Sequence, residues 1–63
     1  MNAQTVEYTR EMNGFRMEVL KCGKFYTAKI TNLVTGETET NSGWRDFWTA
    51  QQMVKNAYEA KRA

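Results

Sequence analysis

The sequence predicts an α+β fold: a four-stranded antiparallel β-meander, with three long strands and a short edge strand, packed through one face on a C-terminal helix (ββββα). Apolar and polar residues alternate through the first half, and turn signals interrupt the alternation three times. From residue 50 onwards, apolar residues recur at spacings of three and four, which is typical of an amphipathic helix. The length of 63 residues fits a single domain, 1–63, without a linker.

The first two strands are predicted at residues 5–12 and 15–20, on either side of Asn13-Gly14. Asn-Gly is the strongest short hairpin signal, and its two-residue loop sets Met12 opposite Phe15. Opposite residues project from the same face of a sheet, so this register gathers apolar side chains on one face. We call it the inner face, and the other the outer face.

Cys22-Gly23 offers a second two-residue loop, which leads into a third strand. In this register Leu20 lies opposite Phe25 on the outer face. Both hairpins place their apolar residues on the same layer, and this agreement supports the assignment. The predicted inner layer contains Val6, Tyr8, Met12, Phe15, Met17, Val19, Tyr26, Ala28 and Ile30.

The third turn, residues 34–36, allows two registers. A two-residue loop at Thr35-Gly36 turns Glu37 and Glu39 inward, whereas a three-residue loop with Gly36 as a bulge turns them outward. Because a buried, unpaired carboxylate is costly, we expect the second, with Thr38 and Thr40 inward. A short, charged strand at about 37–41 would protect the sheet edge, and Ser42-Gly43 is expected to end it.

The helix is predicted over about 50–61. Thr49 and Gln52 match the T-x-x-Q capping box, and Trp48 before the cap can pack on Met53 as a hydrophobic staple. In that register one stripe of the helix faces the sheet. It consists of Ala50, Met53, Val54, Ala57 and Tyr58.

Composition excludes several classes of protein. Nine Lys and Arg against seven Asp and Glu give a net charge of +2, which is weak evidence for a nucleic-acid partner. One cysteine cannot form an internal disulfide, no apolar run reaches membrane-spanning length, and the N-terminus lacks a signal-peptide pattern. We therefore expect a cytoplasmic protein with no membrane partner, and we assume a bacterial host.

The sequence offers little for catalysis. It has no histidine, so histidine-based nucleophile relays and metal sites are excluded, and Cys22 alone cannot hold zinc. Most carboxylates fall on the predicted outer face, where cross-strand partners explain them. Neither phosphate-binding glycine motif occurs. We expect no enzyme activity and no cofactor.

Binding remains, and the candidate protein-binding residues form two groups. Leu20, Phe25 and Leu33 are predicted to make an exposed apolar patch on the outer face, although such residues also occur singly on ordinary surfaces. Trp44 and Arg45 belong to the residue types enriched at interface hot spots, while Trp44 could instead be a lid on the core.

Two other partners stay open. A nucleic acid could bind Arg16, Lys21, Lys24 and Lys29, with Phe25 stacking on a base, although a solvated mixed-charge surface also explains these residues. A second copy of the chain could pair through the outer face as a homodimer, forming a small structural subunit.

The segments Gly23-Lys24-Phe25-Tyr26, Thr35-Gly36 and Phe47-Trp48-Thr49-Ala50 resemble the small arm-type DNA-binding domains of phage tyrosine integrases and related plant-type sheet readers. That resemblance implies a DNA groove read by the outer sheet face, from which the glutamates at 7, 11 and 18 depart.

As a small domain without catalytic groups, the chain also resembles the accessory inhibitors of phages and mobile elements. This second resemblance implies steric blockade of a host protein or nucleoprotein complex, including defence complexes. It is the leading hypothesis, with Trp44, Arg45, Leu20 and Phe25 as anchors.

Overall fold

The computed structural model describes residues 4–62 and has a single antiparallel sheet with one helix against it. The strands follow the order of the chain across the sheet, β1-β2-β3-β4, and the helix contacts β2 and β3 more than β4. The predicted ββββα fold is confirmed. The elements are β1 (Gln4–Met12), β2 (Phe15–Cys22), β3 (Phe25–Asn32), β4 (Thr38–Trp44) and α1 (Phe47–Arg62).

The first hairpin is confirmed in its turn and in its register. Asn13 has a φ of 53° and Gly14 a φ of 80°, which are the positive values that a type I′ turn requires of both central residues. Met12 lies opposite Phe15 and Tyr8 opposite Val19. The Asn-Gly signal therefore fixes the sheet's first pairing.

A β-bulge interrupts β1 beyond this region. The pairing shifts between Val6 and Tyr8, so that Val6 lies opposite Leu20 while Tyr8 lies opposite Val19, with Glu7 as the extra residue. Val6 therefore shares the outer face with Leu20 and is 52% exposed. Its predicted place in the inner layer is wrong, because the alternation on which it rested does not continue through the bulge.

The second hairpin turns at Gly23-Lys24 rather than at Cys22-Gly23. Cys22 lies opposite Phe25, and Gly23 has a φ of 64°, as the first central residue of a type II′ turn requires. The predicted loop would place a cysteine at that position. The register is two residues from the predicted one, and an even shift leaves every side chain on its predicted face.

The predicted register of β4, which follows the third turn, is wrong. Thr38 lies opposite Thr31 and Glu39 opposite Ile30, so Thr38 and Thr40 face outward while Glu39 faces inward. The cost assumed for an inward carboxylate does not arise, because the Glu39 side chain is 64% exposed at the sheet edge and forms an ion pair with Lys61.

A second bulge allows β4 to continue past Ser42-Gly43, where the sequence predicted its end. Ala28 lies opposite Asn41, but Tyr26 lies opposite Trp44, so two residues of β4 occupy the space of one. Gly43 takes a φ of 91° there, which favours glycine. The bulge brings Trp44 to the inner face, against the core.

The core lies between the inner face and the helix. The predicted helical stripe is confirmed, since Ala50, Val54 and Tyr58 are buried and Met53 and Ala57 pack beside them. Among residues 4–62, every buried polar side-chain atom has a hydrogen-bond partner. The buried cluster consists of Met17, Val19, Ala28, Ile30, Ala50, Val54 and Tyr58.

Candidate protein-binding surface

Large exposed apolar side chains fall at the two ends of the sheet. Val6, Phe25 and Trp48 lie where β1 begins, where the β2–β3 hairpin turns and where α1 starts. We call this the aromatic end. Leu33 and Val34 lie at the opposite end, in the loop between β3 and β4. The exposed fractions are 52% for Val6, 45% for Phe25, 74% for Trp48, 43% for Leu33 and 86% for Val34.

Trp48 is the most exposed aromatic residue at the aromatic end, yet its ring contacts a group of packed aromatic rings. The ring of Phe47 meets it edge to face at 5.3 Å between centroids. Phe47 in turn packs edge to face on Tyr8 at 6.4 Å and on Tyr26 at 6.1 Å. Such contacts are favourable geometries for aromatic rings. The Trp48 ring is therefore exposed to solvent while Phe47 supports it from one side.

The start of the helix also corrects the predicted capping. α1 begins at Phe47, and Asp46 is its N-cap, because its carboxylate accepts hydrogen bonds from the Thr49 backbone N–H at 2.9 Å and hydroxyl at 2.7 Å. These bonds, the hydroxyl first, lower the pKa of Asp46. The Gln52 side chain donates to Asn56 instead of closing a capping box.

The cap lies three residues earlier than predicted, and this places Trp48 inside the first turn of α1. The proposed staple between Trp48 and Met53 is therefore wrong. Its geometry requires the first residue to precede the cap, whereas Trp48 follows Asp46. Because Trp48 does not form this staple, most of its side chain is exposed to solvent.

Trp44 and Arg45 were the predicted anchors closest to this position. Trp44 is only partly exposed, packs against the core, and donates its indole N–H to the Asn41 carbonyl oxygen at 2.9 Å. Arg45 is exposed in the short connection between β4 and α1. The structure therefore places Trp44 at the margin of the aromatic end and Arg45 on its surface.

The predicted patch of Leu20, Phe25 and Leu33 is not assembled. Leu20 is 7% exposed, because it sits between Val6 and Thr27 on the neighbouring strands, and it is no surface anchor. Leu33 lies at the far end, where its backbone N–H donates to the Gly14 carbonyl at 2.8 Å. Phe25 remains as the exposed member at the aromatic end.

The predicted nucleic-acid residues divide into two groups. Arg16 donates to the Glu11 carboxylate at 2.7 Å, and that bond raises the pKa of Arg16, while Lys29 lies opposite Glu18. These two cations in the middle of the sheet are accompanied by acids. Lys21 lies over the Tyr26 ring at 5.8 Å, and Lys24 is in the adjoining turn. These two belong to the aromatic end, with Phe25 and Arg45.

Trp48 and Val6 are the surface residues that the sequence reasoning missed. For Trp48 a signal existed, since Asp46 precedes Thr49 by three residues and Asp is as good an N-cap as Ser. For Val6 we find none, because the bulge at Glu7 contains no glycine. With Asp46 as the N-cap, the predicted helix begins at Phe47, and Trp48 falls in its first turn instead of in the hydrophobic staple.

Two structural features of the described residues bear on the kinds of site that the chain can contain. Residues 4–62 contain no cluster of three or more His, Cys, Asp or Glu side chains that could hold a metal ion. Within the same range, no helix has the length and apolar character needed to cross a membrane. Comparison with known proteins gives no match to a family model, a curated protein or a solved structure.

Proposed function

We propose that this chain is a non-catalytic binding module that acts through protein–protein contact, with the aromatic end as its contact surface. The observation that carries the proposal is the 74% exposure of Trp48, whose ring packs on Phe47, which packs in turn on Tyr8 and Tyr26. Tryptophan and arginine are enriched at interface hot spots, and Arg45 is close by in sequence. The contact with Phe47 restricts the Trp48 ring before binding, which reduces the entropy that the side chain loses on binding.

The size of the protein bears on how it would act. A standard interface takes about 800 Å² from each partner, which is about a fifth of the 4457 Å² surface of this chain. The contact would therefore spread from Trp48 and Arg45 across the tip of the β2–β3 hairpin to Phe25. In line with the resemblance to accessory inhibitors, we propose steric blockade of a host protein or nucleoprotein complex as the mode of action.

Affinity capture from a bacterial lysate tests the proposal with matched variants. Trp48→Ala removes the central anchor, whereas Val34→Ala removes an exposed apolar side chain at the opposite end. We expect the wild type and Val34→Ala to retain the same protein partner, and Trp48→Ala to weaken binding by about 2 kcal/mol or more. Equal capture by both variants would contradict the proposal, provided that circular dichroism shows both to be folded.

A nucleic-acid partner is the second candidate, because Lys21, Lys24 and Arg45 share the aromatic end with two exposed aromatic rings. Base stacking on aromatic rings beside cations is how many proteins bind single strands. Anisotropy of labelled oligonucleotides at about 50 and 200 mM salt tests it, since phosphate contacts weaken steeply over that range. The double variant Lys21→Glu/Lys24→Glu should then lose affinity for every sequence. Absence of binding at the lower salt concentration excludes this candidate.

A further inference from the structure

The two edge strands of the sheet, β1 and β4, are protected to different degrees against pairing with another strand. Both edge strands carry a bulge, but β1 also bears the charged residues Glu7, Arg10 and Glu11, and such charges discourage pairing with another strand. On β4, residues 38–41 form a regular ladder whose one charge, Glu39, is engaged by Lys61. Among residues 4–62, no strand pairs with the other side of β4. Its outward backbone groups are therefore open to a further strand.

A groove runs beside this edge, between β4 and α1. Its volume is about 190 Å³, and its walls include the buried side chains of Ala28, Ile30 and Val54. Met53 and Ala57 of the helix complete the apolar part, and β4 forms the polar rim. An apolar cavity of about 150 Å³ can hold a benzene molecule. The groove is therefore large enough for one aromatic or large aliphatic side chain.

We propose that the β4 edge binds an extended peptide segment of another protein as a fifth strand, and that this segment inserts a large apolar side chain into the groove. Adjacent strands lie about 4.8 Å apart, and alternate residues point to the same face. A strand beside residues 38–41 would thus direct every second side chain towards the helix. Backbone hydrogen bonds would supply affinity, and the groove would select an apolar residue.

A second copy of the chain is a poorer occupant. If β4 paired with its own copy over residues 38–41, the segment entering beside the groove would be Thr-Glu-Thr-Asn. That segment has no large apolar side chain, and its inward residues are Glu39 and Asn41. The groove would stay unfilled and would face a second carboxylate, so the apolar walls favour a foreign strand.

This site is separate from the aromatic end, so the two proposals can fail independently. The probe is a labelled ten-residue peptide of alternating Thr and Val with one central Phe in place of a Val, together with a sister peptide that has Ala there. Titrations are followed by anisotropy and by backbone and methyl NMR of the full chain. Ala57→Leu fills the groove from the helix, and Ala60→Leu makes the same change at an exposed helical position as its control.

We expect NMR shifts on residues 38–41 and on the methyl groups of Ile30, Met53 and Ala57. The Ala peptide should bind at least tenfold more weakly, since burial of a Phe side chain contributes that much or more. Ala57→Leu should show the same loss, whereas Ala60→Leu and Trp48→Ala should bind as the wild type does.

Three outcomes would overturn the proposal. They are the absence of binding at millimolar peptide, equal affinities for the Phe and Ala peptides, and a peptide-free dimer joined at β4, which light scattering and the same NMR shifts would reveal. The comparison of the two peptides uses the wild-type protein, so it decides the matter even if Ala57→Leu does not fold.

Discussion

The side-chain amide of Asn13 donates a hydrogen bond to the hydroxyl of Tyr58, which lies 45 residues further along the chain. Asn13 holds the turn between β1 and β2, and Tyr58 is the largest fully buried side chain of the core. The bond therefore ties the first turn of the sheet to the late part of the helix.

Loss of this bond should cost stability without disturbing the core. Tyr58→Phe keeps the ring that packs edge to face on Phe15, and we expect it to lower the free energy of unfolding by about 1 kcal/mol. Asn13→Gly keeps the positive φ and removes the donor. Urea unfolding of both single variants and the double variant forms a cycle, in which additive losses would show that the two groups do not interact.

Leu20 and Phe25 should behave oppositely, although the sequence suggests one exposed pair. Leu20→Ala should lower the free energy of unfolding by about 2 kcal/mol or more, because Leu20 is 7% exposed. Phe25→Ala should cost under about 1 kcal/mol, since Phe25 is 45% exposed. Chemical denaturation compares the two, and a larger loss for Phe25→Ala would place Phe25 rather than Leu20 among the stabilising contacts.

The bulge in β4 depends on Gly43. Alanine at a φ of 91° is strained, so Gly43→Ala should cost about 1–2 kcal/mol, although no atom blocks its added methyl group within 4 Å. Ser42→Ala at the neighbouring position is the control and should be nearly neutral. Thermal unfolding measures both, and equal midpoints would show that the bulge tolerates a side chain at residue 43.

Protonation of the Asp46 carboxylate should lower the stability of the folded protein at acidic pH. Hydrogen bonds from Thr49 lower the pKa of Asp46 in the folded protein, so its contribution is present above the unfolded-state pKa, about 3.9, and is lost as the pH falls through the lower folded value. Asp46→Asn keeps a capping side chain without the titration. The difference in melting temperature between the wild type and Asp46→Asn should shrink as the pH falls below about 3.9. A difference that does not change with pH would contradict the role of Asp46 as a charged N-cap.

The two tryptophans should report different surroundings. Phe47 supports Trp48 from one side and leaves it 74% exposed, while Trp44 packs on the core and has its indole N–H bonded. In Trp44→Phe the remaining Trp48 should emit at longer wavelength and be quenched strongly by acrylamide. In Trp48→Phe the remaining Trp44 should be protected. The reverse pattern would restore Trp44 as the exposed anchor.

The elements that the sequence predicts correctly are those whose residue pattern has a local cause. Asn13-Gly14 dictates its own turn type, and the apolar spacing from Ala50 to Tyr58 allows one helix face to be buried. The predicted turn of the second hairpin is one residue too early, and its register two residues off, because Cys22-Gly23 and Gly23-Lys24 compete for the turn. The residues predicted for its inner face are nevertheless correct, because side chains alternate with period two and a register shift of two residues leaves each on the same face.

The remaining errors come from effects that a single sequence does not encode locally. The bulges at Glu7 and at Ser42-Gly43 depend on how each edge strand twists against its neighbour. The orientation of Glu39 depends on Lys61, which approaches from the helix 22 positions later in the chain. The candidate surface changed for a different and local reason, because the cap at Asp46, which the sequence does signal, places Trp48 in the first turn of the helix.

The order of the elements has a consequence during protein synthesis. The buried helical residues Ala50, Val54 and Tyr58 follow the last strand, so the layer that covers the inner face is synthesised after all four strands. At about 5–20 residues per second, the interval from Trp44 to Tyr58 lasts roughly 1–3 s. Until the helix has packed on the sheet, Met17, Val19 and Ile30 have no covering layer, and uncovered apolar surface of this kind is prone to aggregation and to capture by a chaperone.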